Sequence, residues 1–297
     1  MKTRLFVAVI SIIIIAGIFT YLLIPSPLTA SGKIRFLTST NGAYRSLIKQ
    51  ETWDKWSPQT FSITKRLNNS LELNVKNEQE NVPVSILLIP MSSDSVTVSW
   101  NTVFPVNANP VTKIKQRSQA TDVKHKMDDA LNKFQQFVSY NENIYGTHIE
   151  ERSTKDTFLV ATRFTSHTYP SNELIYSNIN KLKSYANSTG ASQSGPPMLN
   201  VSTNDSSTFN CMVALPINKI VAGKGDVFFV RMVPGHFLTT EITGGPSTIN
   251  NAHRTMDQYF KDFNRVSMAI PFEYLVTDRL KEPDTSKWVT RIYCPVY

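Results

Sequence analysis

The second half of the chain repeats itself, and a tandem repeat of strand, helix, strand and strand confines it to folds in which two like units pair. Thr157–Phe164 reads as a strand, and Pro170-Ser171 then opens a helix with Leu174, Ile175, Ile179, Leu182, Tyr185 and Ala186 on one face. Gly195-Pro196-Pro197 leads into a strand at Met198, and Phe209–Pro216 is another. The same order returns in His236–Thr243, a helix opened by Pro246-Ser247, a strand at Phe272–Thr277 and a last strand at Trp288–Pro295. From the helix-opening Ser to the strand-opening Pro is 25 residues in the first copy (Ser171 to Pro196) and 24 in the second (Ser247 to Pro271). One sheet and one helix bury their apolar faces poorly alone, so the copies, about 155–217 and 226–297, are expected to pair about a pseudo-twofold axis. The junction of such a pair is a frequent ligand site.

The N-terminus constrains the chain differently. Leu5 to Ile24 is 20 residues without a charge, about 30 Å as a helix, which is the thickness of a bilayer core. Lys2 and Arg4 precede it and Pro25-Ser26-Pro27 follows. A cleaved signal peptide and a buried soluble helix are the alternatives, but the apolar core of a signal peptide is shorter. The expectation is an uncleaved signal anchor: residues 1–4 cytoplasmic, 5–24 a transmembrane helix in contact with the membrane, and the rest extracytoplasmic, in a single-pass protein.

Between anchor and repeat, residues 31–146 read as one domain. A short strand at Lys33–Thr38 precedes a helix from Asn41 to about Gln50, with Trp53-Asp54-Lys55-Trp56-Ser57-Pro58 after it. Four strand-like runs follow, the last alternating Val96, Val98 and Trp100 with Thr97 and Ser99. Thr121–Gly146 carries Met127, Ala130, Leu131, Phe134, Phe137, Val138, Ile144 and Tyr145 at helical spacing. This order predicts a curved antiparallel sheet gripping one long C-terminal helix. The whole chain is therefore expected to be α+β.

Residues 31–146 resemble the START-like (SRPBCC, polyketide-cyclase-like) helix-grip family in the first strand, the helix, the Trp53-x-x-Trp56-x-Pro58 ending and the final helix ending Tyr145-Gly146. The resemblance implies an apolar ligand between helix and sheet. Trp53, Trp56 and Trp100 are then either core or ligand contacts, and core is the commoner role. Residues 150–297 resemble the GyrI-like, AraC-type effector-binding family. Leu238–Gly245, Pro271-Phe272-Glu273-Tyr274 and the ending Thr290-Arg291-Ile292-Tyr293-Cys294-Pro295-Val296 carry that likeness, with Gly195-Pro196-Pro197 and Leu215-Pro216 as the first-copy equivalents. It implies a small-molecule binding domain, often a sensor of apolar or cationic compounds, and in some members a hydrolase. Two departures stand out: no helix-turn-helix precedes the domain, and Arg291 occupies a place where many members carry Glu. The latter speaks against cationic ligands and carboxylate-driven catalysis.

From these likenesses the expected ligand-binding residues are Glu273, Arg291 and Tyr293. Glu273 is either a solvated or ion-paired surface carboxylate or, if its face lines the cleft, a group that hydrogen-bonds the ligand or pairs with Arg291, whose planar fork suits a carboxylate or phosphate. Tyr259 and Phe260 read as core. The five histidines show no metal spacing, and no Gly-x-Ser-x-Gly, phosphate loop or dinucleotide fingerprint occurs. No metal and no cofactor are expected. Binding or sensing of an apolar or amphipathic molecule is the expected function; a hydrolase using Glu273 and a cleft tyrosine is the alternative, resting on family analogy. The formal charge of +8 is scattered without a basic run, so no nucleic-acid partner is expected. Cys211 and Cys294, at the ends of the two copies, are free thiols or a disulfide joining them.

Overall fold

In a computed structural model, the described residues are 2–23, 27–57, 61–77, 80–105, 109–155, 157–205, 208–232, 234–267 and 269–296. The chain divides into two compact units, Met1–Tyr140 and Asn141–Tyr297. The class is α+β, with one antiparallel sheet in each unit.

The first unit opens with α1 (Lys2–Leu23), followed by β1 (Leu28–Phe36), α2 (Thr40–Ile48), β2 (Phe61–Leu67), β3 (Ser70–Asn77), β4 (Glu80–Ser92), β5 (Ser95–Phe104) and α3 (Pro110–Val138). The strand order is β1-β5-β4-β3-β2. Alternation gives the sheet one buried face, Leu71, Leu73 and Val75 on β3, Val82, Val84, Ile86 and Leu88 on β4, Val96, Val98 and Trp100 on β5. Helix α3 lays Val123, Met127, Leu131 and Phe134 into the core. It begins well before the expected Thr121, because Pro110 sits in its first turn and the Asn109 side chain accepts from Val111 N at 3.0 Å. It also ends at Val138, and Asn141–Tyr145 forms a separate helix, α4. Trp53, Trp56 and Trp100 are all buried, with the Trp56 and Phe134 rings 4.6 Å apart. Pro58, which completes the tryptophan motif, lies outside the described residues.

The expected transmembrane helix over Leu5–Ile24 is corrected here. Among the described residues, no helix is long and apolar enough to cross a membrane. Helix α1 runs Lys2–Leu23 and so begins before Leu5 and ends before Ile24. Its last turn is tied to protein: Lys113 Nζ donates to Tyr21 O at 3.1 Å and sits 4.2 Å from the Tyr21 ring centroid. Ile24, Pro25 and Ser26 lie outside the described residues. The membrane contact expected of this segment has no support.

The second unit continues from α4 with β6 (Glu150–Ser153), β7 (Thr157–Ser166), α5 (Asn172–Ser188), β8 (Met198–Asp205), β9 (Thr208–Ile217), β10 (Phe228–Met232), β11 (His236–Thr243), α6 (Pro246–Asp262), β12 (Phe272–Leu275) and β13 (Val289–Val296). Its eight strands run β10-β7-β9-β8-β12-β13-β11-β6, a symmetric order whose midpoint lies between β8 and β12. The strand that precedes the first strand–helix pair of each repeat joins the other repeat: β10, ahead of β11, pairs with β7, and β6, ahead of β7, pairs with β11. The copies are thereby interlocked, and neither completes its sheet alone. Helix α5 buries Ile175, Tyr176, Ile179 and Leu182 among Val160, Val213, Leu215 and Ile217. Helix α6 does the same with Ile249, Ala252 and Met256 against Leu238, Ile242, Ile292 and Cys294. Ser171 caps α5 by accepting from Leu174 N at 3.3 Å. Before α6, Gly244 has φ 149°, and a Cβ there would lie 2.6 Å from Thr248 Oγ1, so the turn into the helix requires glycine. A third cluster, centred on Phe237, Phe272 and Tyr293, packs on the opposite face of the sheet.

Candidate functional site

The two helices begin at equivalent places in the repeat, and their first turns face each other over the central strands. A cavity of about 660 Å³ lies there. Tyr169 to Asn172 and the first half of α6, from Pro246 to His253, form two walls; Leu199 and Val201 of β8 and Glu273 of β12 line the sheet side. Both copies contribute, so the site exists only because they pair.

Glu273 is its most constrained group. Alternation on β12 turns it toward the helices, away from Phe272 and Tyr274, and its side chain is nine-tenths buried. His253 Nε2 lies 2.9 Å from Glu273 Oε1. Arg279 Nη2 lies 3.4 Å from Oε2 and donates to Thr290 Oγ1 at 3.0 Å. The Arg279 backbone N–H donates to the Tyr176 hydroxyl at 2.8 Å, and its guanidinium carbon lies 5.1 Å from the Trp288 ring centroid. Tyr169 stands at the rim with its ring edge-on to Phe209, centroids 5.9 Å apart. Although half of that residue's surface is open, desolvation of its hydroxyl, and then the Glu273 charge, push its pKa up to about 12. Its hydroxyl therefore keeps its proton near neutral pH and is available to donate a hydrogen bond.

Of the three residues expected at the site, the structure brings only Glu273 to the cavity. The register explains the separation. Glu273 sits opposite Ile292 and Tyr274 opposite Arg291, so Arg291 and Tyr293 face the other side of the sheet. Arg291 is bonded to Glu241 on the neighbouring strand, where both are half exposed, and that carboxylate raises its pKa further. Tyr293 stacks on Phe272 with centroids 5.2 Å apart and planes 4° from parallel. The pairing of Glu273 with Arg291 is thus replaced by Glu273 with Arg279.

His253, Arg279 and Tyr169 were not legible as site residues. His253 did carry a signal: it follows Ile249 by four on α6, one turn along the face toward the sheet. Tyr169 immediately precedes the repeat-equivalent Pro170-Ser171. Arg279 carried none, because it lies in the irregular connection between β12 and β13.

Residues 163–297 match the family described as GyrI-like small molecule binding domain. No curated protein matches the chain. Among solved structures, the chain is similar to EcmrR in a DNA complex, at 15% identity over 62% of this chain and 71% of that one, TM-score 0.47. It is also similar to SAV2435 bound to tetraphenylphosphonium, at 15% identity over 50% of this chain and 94% of that one, TM-score 0.34. A hydrolase from Listeria innocua aligns at 14% identity over 54% of this chain and 98% of that one, TM-score 0.41.

Proposed function

We propose that the GyrI-like small-molecule binding domain at residues 163–297 takes an apolar or amphipathic organic molecule into the cavity between its two copies, as a sensor or sequestering protein. The observation that carries this reading is the cavity: about 660 Å³, walled by Tyr169, Phe209, Ile249 and Val201 around a few convergent polar groups. That size and lining suit a drug-sized ligand. In this reading the ligand sits in the second unit, and Trp56 and Phe134 of the first unit, buried with their rings 4.6 Å apart, are core.

The test uses N-phenyl-1-naphthylamine, an uncharged probe whose emission rises on leaving water. Saturable binding at one site per chain is expected, and it should vanish in Asn250→Trp, where an indole on the exposed rim of α6 fills the mouth. Equal binding by that variant, with an unchanged far-UV spectrum, would end the reading.

One observation favours a hydrolytic second reading: His253 is held by Glu273 at 2.9 Å with Tyr169 near that carboxylate. His253 would take a proton from water attacking an ester and return it to the alkoxide that leaves as the acyl C–O bond breaks, Glu273 would orient the imidazole, and Tyr169 would hydrogen-bond the developing oxyanion. Hydrolysis of p-nitrophenyl butyrate lost in Glu273→Gln would support it; no turnover, or turnover unchanged by that substitution, would exclude it.

A further inference from the structure

The charges lining the cavity are balanced before any ligand arrives. Glu273 is the only carboxylate among the described residues that line it, and Arg279 the only guanidinium. Their side chains retain 9% and 4% of their surface, so water screens the pair poorly. Arg279 is fixed from several directions: Thr290 and Tyr176 by hydrogen bonds, Trp288 by its ring face, and Glu273 itself. It has no room to swing aside for an incoming charge. The second carboxylate oxygen is occupied by His253.

A lipophilic cation entering this site would share one carboxylate with a guanidinium already held against it. An anion would meet a guanidinium already neutralised by Glu273. We propose that the cavity selects an uncharged, largely apolar ligand bearing a hydrogen-bond acceptor and turns away lipophilic cations, with Arg279 as the residue that sets this preference. The acceptor is matched by the Tyr169 hydroxyl at the cavity rim, whose proton is held by desolvation and by the Glu273 charge. This rests on the reading of the cavity as the ligand site.

The experiment is calorimetric titration of the full chain with three probes of similar shape and different charge: triphenylphosphine oxide, tetraphenylphosphonium and tetraphenylborate. Site occupancy is checked by loss of the heat in Asn250→Trp. The wild type is expected to bind the neutral oxide about tenfold or more tightly than either ion. Arg279→Gln, which leaves Glu273 uncompensated, should gain about tenfold for the cation, while Arg279→Lys keeps the wild-type order. Glu273→Gln should shift the preference toward the borate. Wild-type protein that binds the cation at this site as tightly as the oxide overturns the proposal while leaving the cavity a ligand site, whether or not Arg279→Gln folds. A wild type that binds none of the three removes both.

Discussion

His253 Nε2 lies 2.9 Å from Glu273 Oε1, joining helix α6 to strand β12 from inside the wall of the cavity. Glu273 is buried, so removing this partner leaves a carboxylate oxygen unsatisfied. His253→Ala is expected to cost about 1–3 kcal/mol in urea unfolding, and His253→Gln, which retains a donor near the same place, to cost less. Equal losses in the two variants would mean that ring packing, and not the hydrogen bond, holds the helix.

Gly32 lets β1 pass close beneath α3. A Cβ there would lie 2.5 Å from Trp100 Nε1 and 2.8 Å from Asp128 Oδ1, two atoms that hydrogen-bond at 3.3 Å. Gly32→Ala must push this pair apart, at a cost of about 1–3 kcal/mol, the range for overpacking. The expected signature is a lower urea midpoint with a shifted tryptophan emission maximum, while far-UV circular dichroism is retained.

Arg291 is paired with Glu241 on a half-exposed surface, away from the cavity lining. Arg291→Ala is therefore expected to change stability by less than about 1 kcal/mol. Affinity for triphenylphosphine oxide should stay the same. A clear loss of affinity would show that this strand face contacts the ligand.

Cys211 and Cys294 are both free and buried, on β9 and β13. Two strands separate them, so their backbones lie roughly 14 Å apart, beyond the reach of a disulfide. Burial raises both thiols, that of Cys294 to about 12, so the reactive thiolate is scarce in the folded state at pH 8. Ellman's reagent should find almost no thiol in the native protein at that pH and two per chain in urea without reductant. One missing equivalent in urea, restored by reductant, would point to an intermolecular bond.

The duplication could be read from residues because it is a matter of spacing. Ser171 to Pro196 and Ser247 to Pro271 differ by one residue, and the helical stripes on α5 and α6 show which faces turn inward. Period and punctuation are local properties of a chain. The start of α3 at Pro110 was also written locally, in Asn109-Pro110, but a weaker apolar stripe in its first turns hid it. The apolar run at the N-terminus shows the opposite case: its composition suggested a span, while where the helix begins and what its end touches were settled by folding.

The sequence by itself determined that two like units must pair, that the second half is built of repeated strands and two amphipathic helices, and that Glu273 stands on a strand. Only the tertiary structure decided what surrounds Glu273. The register of β12 against β13 sends Arg291 and Tyr293 to the other face, and an irregular connection brings Arg279 back over the carboxylate. Ion pairs of this kind act over a few ångströms between groups whose separation along the chain follows no period. They exist only once the backbone has closed around them.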